Sequence, residues 1–155
     1  MSTPPEDPAD VMSVVRARVK ELRGRKGWSG AELGAQLSEI GVPWNRSVVA
    51  NFESGRRPSV SVQEVMALAY VLDVAPVNLL VPLDARDYRI TPDRVVSSTD
   101  VWRWWRGEKA LPEASTASAR TFYAEVPTEE IKRRGHIIPL PTVYEINEAR
   151  DLGDS

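Results

Sequence analysis

The sequence predicts an all-α fold for residues 11–82 and a mixed, partly irregular C-terminal extension for residues 83–155. Three observations carry the helical half. Apolar residues recur there at i, i+3 or i+4, S-x-x-E pairs head two of the runs, and glycine or proline closes most of them. Five helices fit into the stretch, with no internal repeat.

In the first helix Val15, Val19 and Leu22 stand at i, i+4, i+7 among Arg16, Arg18, Lys20 and Arg23, and the run ends between Gly24 and Gly27. The second lies in WSGAELGAQLSEIG, with Ser29 and Glu32 as a capping box, Leu33, Leu37 and Ile40 as the buried stripe, and Gly41 and Pro43 as the stop. The third runs from Asn45, its N-cap, to Ser54, with Gly55 behind it. Ser61 and Glu64 repeat the capping box before a fourth helix that buries Val65, Leu68, Ala69 and Leu72. A short fifth begins at Pro76 and carries Leu79 and Leu80. Beyond Pro82 proline, aspartate, serine and threonine punctuate the chain. TDVWRWWRG reads as a two-turn helix capped by Thr99 or Ser98 and ended by Gly107. RTFYAEVPTEEI reads as a strand followed by a proline-initiated helical turn. Residues 135–155 read as a mobile acidic tail, and MSTPPEDPAD as a disordered start.

The formal charge of -2 exerts no global pull on a polyanion, but its distribution is uneven. Residues 11–58 hold nine Lys/Arg against four Asp/Glu, and residues 83–155 hold eleven against thirteen. Any affinity for a polyanion therefore belongs to the helical half. The chain has no cysteine, no cationic and apolar leader, and no apolar run long enough to span a membrane, so a cytoplasmic location is expected. Its one histidine, His136, has no companion at metal-ligand spacing, and neither a nucleophile with its base nor a phosphate-cradling glycine loop can be assembled. The expectation is a protein without metal, cofactor or enzymatic activity.

NRSVVANFESGRRPSV, residues 45–60, places Val49 and Phe52 on one side of the third helix and Ser47, Asn51 and Ser54 on the other, with Arg46 at the first turn. A helix lying in a DNA major groove needs an apolar back, short polar side chains in front and cations at its exit. Arg46 suits guanine, Asn51 suits adenine, and Arg56 and Arg57 suit phosphates. Val48 is assigned to the core together with Val49 and Phe52.

The order of the first helix, WSGAELGAQL, a helix ending NFESG, a basic turn and SVQEVMALAYVLDVAPVNLL resembles the XRE-type helix-turn-helix family, the fold of the Cro and lambda-like phage repressors. The resemblance covers residues 12–82. It implies a five-helix lambda-repressor-like domain that binds double-stranded DNA as a homodimer, with the motif's second helix in the major groove. Matched by position, it puts Arg46, Ser47 and Asn51 at base-reading places and Gly30 where the family often carries a phosphate-contacting glutamine. It also pairs Arg23 with Glu53 in a buried ion pair joining the first helix to the third. With Asn45, Arg56 and Arg57, Gly30 makes up the set assigned to the DNA backbone. SEIGVPW between Leu37 and Asn45 exceeds the family's usual turn, so a longer second helix and a loop are expected, with Trp44 either a packing anchor or a phosphate neighbour.

The function this implies is a sequence-specific transcriptional regulator, a repressor of phage, prophage or plasmid type acting on a palindromic operator. The competing reading is an antitoxin-like module that holds a protein partner through the extension. Trp102, Trp104 and Trp105 serve either reading, as a cluster docking the extension onto the helical domain or as an interface.

Overall fold

The computed structural model describes residues 7–127 and Glu129. In chain order the elements are β1 Ala9–Asp10, α1 Val11–Arg25, α2 Gly30–Glu39, α3 Arg46–Glu53, α4 Val62–Val71, α5 Val77–Leu80, β2 Asp87–Thr91, β3 Arg94–Ser97, α6 Ser98–Trp105 and α7 Thr116–Ala124. The chain divides into two compact units, one ending at Trp102 and the other beginning at Arg103. Sequence assignments that fall on the acidic tail, His136 included, lie outside the described residues.

Local side-chain caps start α1 to α4. Asp10 caps α1 by accepting from the Ser13 N–H at 2.7 Å, and the Ser29/Glu32 and Ser61/Glu64 capping boxes close on α2 and α4. The apolar stripes then meet. Val15 and Val19 from α1, Leu33 and Leu37 from α2, Phe52 from α3 and Leu79 from α5 are each fully enclosed in one core, and each such side chain contributes roughly 1.5–3 kcal/mol by leaving water. Ile40 departs from its expected place in the α2 stripe: it is the C-cap residue and 42% exposed, because the helix stops at Glu39 and Gly41 turns the chain with φ +87°. Residues 40–45 form the expected loop, and Trp44 is its anchor, 3% exposed and 5.2 Å from the Phe52 ring.

The fold is not all-α. A three-stranded sheet runs in the order β1-β2-β3, with β1 parallel to β2 and β2 antiparallel to β3. The strands escape a sequence reading because they are only two to five residues long and mix Asp, Arg, Ser and Thr with one or two apolar positions each; just Tyr88 and Val96 are buried within them. Part of the expected disordered start, Ala9–Asp10, is one of these strands. The first unit consequently continues past Pro82, where the sequence texture changes. The Tyr88 hydroxyl donates to the Leu80 carbonyl oxygen, Ser98 Oγ donates to the Asp84 carbonyl at 2.7 Å, and the Trp102 indole donates to the Pro82 carbonyl at 2.8 Å. Burial, then the nearby Asp10 carboxylate, push the Tyr88 phenol up to about 12.

In α6 the expected caps shift by one residue. The helix begins at Ser98, whose hydroxyl is spent on Asp84 and Arg86, and Ser97 Oγ accepts from the Thr99 N–H at 3.3 Å. In the second unit the rings of Trp104 and Trp105 meet edge to face at 6.4 Å, and Trp105 remains 49% exposed. The strand expected at RTFYAEV is a helix instead. Ser115 caps α7 by accepting from the Ser118 N–H, and the small residues of TASAR extend the turn through Phe122 and Tyr123. Aromatic β-propensity is overridden by a cap lying upstream of the quoted run.

Candidate nucleic-acid interface

The site is built on how closely α3 rests on α2. A Cβ on Gly34 would lie 2.9 Å from the Asn45 backbone, so only glycine lets α2 touch the chain where α3 begins. There Asn45, with extended φ of -133°, accepts from the Val48 N–H at 3.0 Å and caps α3. Val49 and Phe52 are buried against the core, while Arg46, Ser47, Ala50 and Asn51 are exposed on the far side. Arg46, Ser47 and Asn51 have no side-chain partner among the described residues. Three side chains able to reach base edges thus stand free on a helix whose back is fixed.

A second tie sets the far end of α3. Glu53 takes both Arg23 Nε at 2.7 Å and Arg23 Nη2 at 2.9 Å, a two-pronged pair that leaves the side chains only 18% and 13% exposed. Arg23 Nη1 also donates to the Trp28 carbonyl at 2.7 Å. The ion pair implied by the family resemblance is therefore present and largely enclosed.

The turn after α3 is held from three directions. Gly55 adopts φ +80°, the left-handed conformation that ends the helix, and the Arg57 N–H donates to the Asn51 carbonyl at 2.9 Å. Arg16 of α1 reaches across to donate to the Arg57 and Pro58 carbonyls at 3.3 and 3.2 Å. The Arg57 guanidinium lies 4.9 Å from the Trp44 ring centroid and donates to Glu64 Oε1 at 2.7 Å, where the Trp44 indole also donates at 2.8 Å. Burial alone would raise the Glu64 carboxyl, but hydrogen bonds from the Ser61 N–H, the Trp44 indole, Arg57 and the Ser61 hydroxyl outweigh it and hold the group at about 2. An open groove of about 700 Å³ follows this turn, bounded by Trp44, Val48, Asn51, Arg56 and Arg57.

The residues assigned from sequence thus part company. Arg56 is exposed and free at the tip of the turn, whereas Arg57 is folded back on Trp44 and Glu64 and spends one nitrogen there. Asn45 uses its side chain as a cap. Gly30 is the first residue of α2, and a Cβ there would make only an ordinary 3.4 Å contact with Val49. The capping box occupies the Ser29 and Glu32 N–H groups, which leaves those of Gly30 and Ala31 at the helix start. The Glu32 carboxylate at the same end, held below its ordinary range by hydrogen bonds from the Ser29 backbone and hydroxyl, opposes an approaching phosphate. Sequence reasoning missed Gly34, Arg16 and the Trp44–Arg57–Glu64 cluster. Gly34 alone carried a signal, as a glycine inside a helical run.

Among the described residues no helix is long and apolar enough to cross a membrane, and no group of three His, Cys, Asp or Glu side chains is placed to hold a metal ion. A family model described as a helix-turn-helix domain matches residues 15–80. No curated protein and no solved structure matches the chain.

Proposed function

We propose that the protein is a sequence-specific transcriptional regulator, a reading supported by the helix-turn-helix match at residues 15–80, which is consistent with the XRE type. It acts as a repressor of phage, prophage or plasmid type by occupying a palindromic operator as a homodimer, and it catalyses no reaction. The observation that carries this reading is the free face of α3. Arg46, Ser47 and Asn51 are exposed and unspent, while the opposite side of the helix is locked by Val49, Phe52 and the Arg23–Glu53 pair. In this reading Arg46 and Asn51 contact bases and Ser47 assists them. Arg56 and the Gly30 and Asn45 backbone meet phosphates, and Arg57 acts at the backbone chiefly by holding the turn.

One domain offers too few base contacts for operator-level selectivity, and two-fold symmetry doubles them. The test is selection of bound duplexes from a random pool by the tagged full-length protein. The expected product is an inverted repeat with half-sites about one helical turn apart, on which Asn51→Ala or Arg46→Ala costs roughly 1–3 kcal/mol and flattens preference at one base pair per half-site. A pool that shows no enrichment defeats the proposal. The half-exposed Trp105 favours a second reading, in which the extension grips a protein partner as an antitoxin does. Co-purification of a stoichiometric partner, lost on Trp105→Ala while duplex selection persists, distinguishes the two.

A further inference from the structure

Val48 is assigned by sequence to the core, but the structure leaves it half-buried. Its inner side rests on the core and its outer side faces the groove beside α3. Val48 and Asn51 are three residues apart and so neighbours on the helix surface, with Cβ atoms about 5–6 Å apart. Pro43 and Trp44 line the same groove. A small apolar surface therefore adjoins the one amide on this face, at the edge of a helix whose other exposed residues are polar or small.

Charge indicates what enters. Arg56 stands free at the rim, and the single carboxylate of the groove, Glu64, is already held by Arg57 and Trp44. The groove suits a polyanion rather than a cationic or neutral partner. In the major groove an adenine presents N7 and N6 to an asparagine, and its thymine presents a 5-methyl group on the same edge of the pair. We infer that Val48 is a specificity-determining residue that receives a thymine 5-methyl group, in the same A·T pair that Asn51 reads or in its neighbour. The inference rests on α3 being the groove-reading helix and adds to it an apolar half of the code.

The test takes the preferred duplex from the selection and replaces its thymines one at a time by deoxyuridine, which deletes the methyl group and leaves the hydrogen-bonding edge intact. One position in each half-site is expected to weaken binding about four-fold, the ratio that burial of one methyl-sized group corresponds to. In Val48→Ala that thymine-over-uracil ratio falls to about one. Val48→Thr, which keeps the shape and swaps one methyl for a hydroxyl, lowers it as well and stands in should the alanine variant fold poorly. The inference is overturned if no uracil substitution weakens the unaltered protein, or if the full ratio survives in both variants. A preferred duplex indifferent to its methyl groups defeats this inference alone. The absence of any preferred duplex defeats it together with the reading it rests on.

Discussion

Two glycine-to-alanine changes, identical in chemistry, should move stability in opposite directions. Gly24 lies near the end of α1 and Gly34 in the middle of α2, and each exchange brings up to about 1 kcal/mol of helix propensity. At Gly24 the new Cβ meets nothing within 4 Å, so the gain stands. At Gly34 it lands 2.9 Å from Asn45 C and Cα and 3.2 Å from the Trp44 carbonyl oxygen. None of these is the end of a flexible side chain, so backbone must move, at the roughly 1–3 kcal/mol typical of overpacking. The two variants should therefore differ by about 1–3 kcal/mol, which at about 4–8 °C per kcal/mol for a domain of this size is readily seen by thermal or urea unfolding. A second consequence separates this close approach from ordinary packing. The displaced atoms belong to the N-cap of α3, so Arg46 and Ser47 move with them. Gly34→Ala should then lose base preference at temperatures where it is still fully folded. If Gly34→Ala melts as high as Gly24→Ala, α2 does not approach α3 as closely as the structure depicts and the reasoning fails.

Glu64 should make stability fall in acid. Its folded-state value of about 2 lies below the ordinary 4.5, so its contribution is complete above about pH 4.5 and is lost as pH falls toward 2; the shift corresponds to roughly 3 kcal/mol at most. Glu64→Gln should flatten that part of the urea-midpoint profile, and an unchanged profile would remove the carboxylate from the account. Glu53→Gln strands the Arg23 charge in a largely enclosed site and should cost about 2–3 kcal/mol, at or just under the range for buried pairs; a loss below 0.5 kcal/mol, about the level of an exposed pair, would mean the pair is solvated. Arg56→Ala should weaken preferred and random duplexes alike and reduce the slope of log affinity against log salt by about one unit for each phosphate no longer neutralised, whereas Arg57→Ala should also lower the melting temperature by freeing Glu64. Equal effects of the two arginine variants on stability would contradict the division of labour between them. Sedimentation of the protein on its preferred duplex should show two copies, and a strict monomer there would remove the symmetric operator.

The helices were legible because their signals are local. Ser29/Glu32, Ser61/Glu64 and Asn45 each announce a helix start within four residues, and the leucine and valine spacing indicates which side is buried. The face of α3 followed from the same periodicity. What was not legible depends on meetings across the chain. The β1–β2 pair joins residues far apart with only two residues on one side, and nothing in ADVMSV or DYRIT reports the other. Gly34 looks like a weak helix residue until Asn45 is set against it. Arg57 looks like a second free cation until Trp44 and Glu64, twenty residues apart from each other, converge on it. RTFYAEV failed for a different reason: the cap that decides it, Ser115, lies outside the run whose composition suggested a strand.

The parallel pairing of Ala9 with Tyr88 also bears on the order in which the molecule assembles. The five helices already include one distant meeting, α1 against α5, but this pair closes a longer loop spanning nearly the whole first unit, and loop-closure entropy places such pairings late. Asp10, paired with Arg89 in that sheet, is also the residue whose side chain caps α1, so the start of the first helix and the docked strand share one residue. A fragment cut to residues 15–80 would retain the helix that faces DNA and lose this final step. It should fold fast and unfold fast, whereas a fragment spanning residues 7–102 keeps the closure that slows opening.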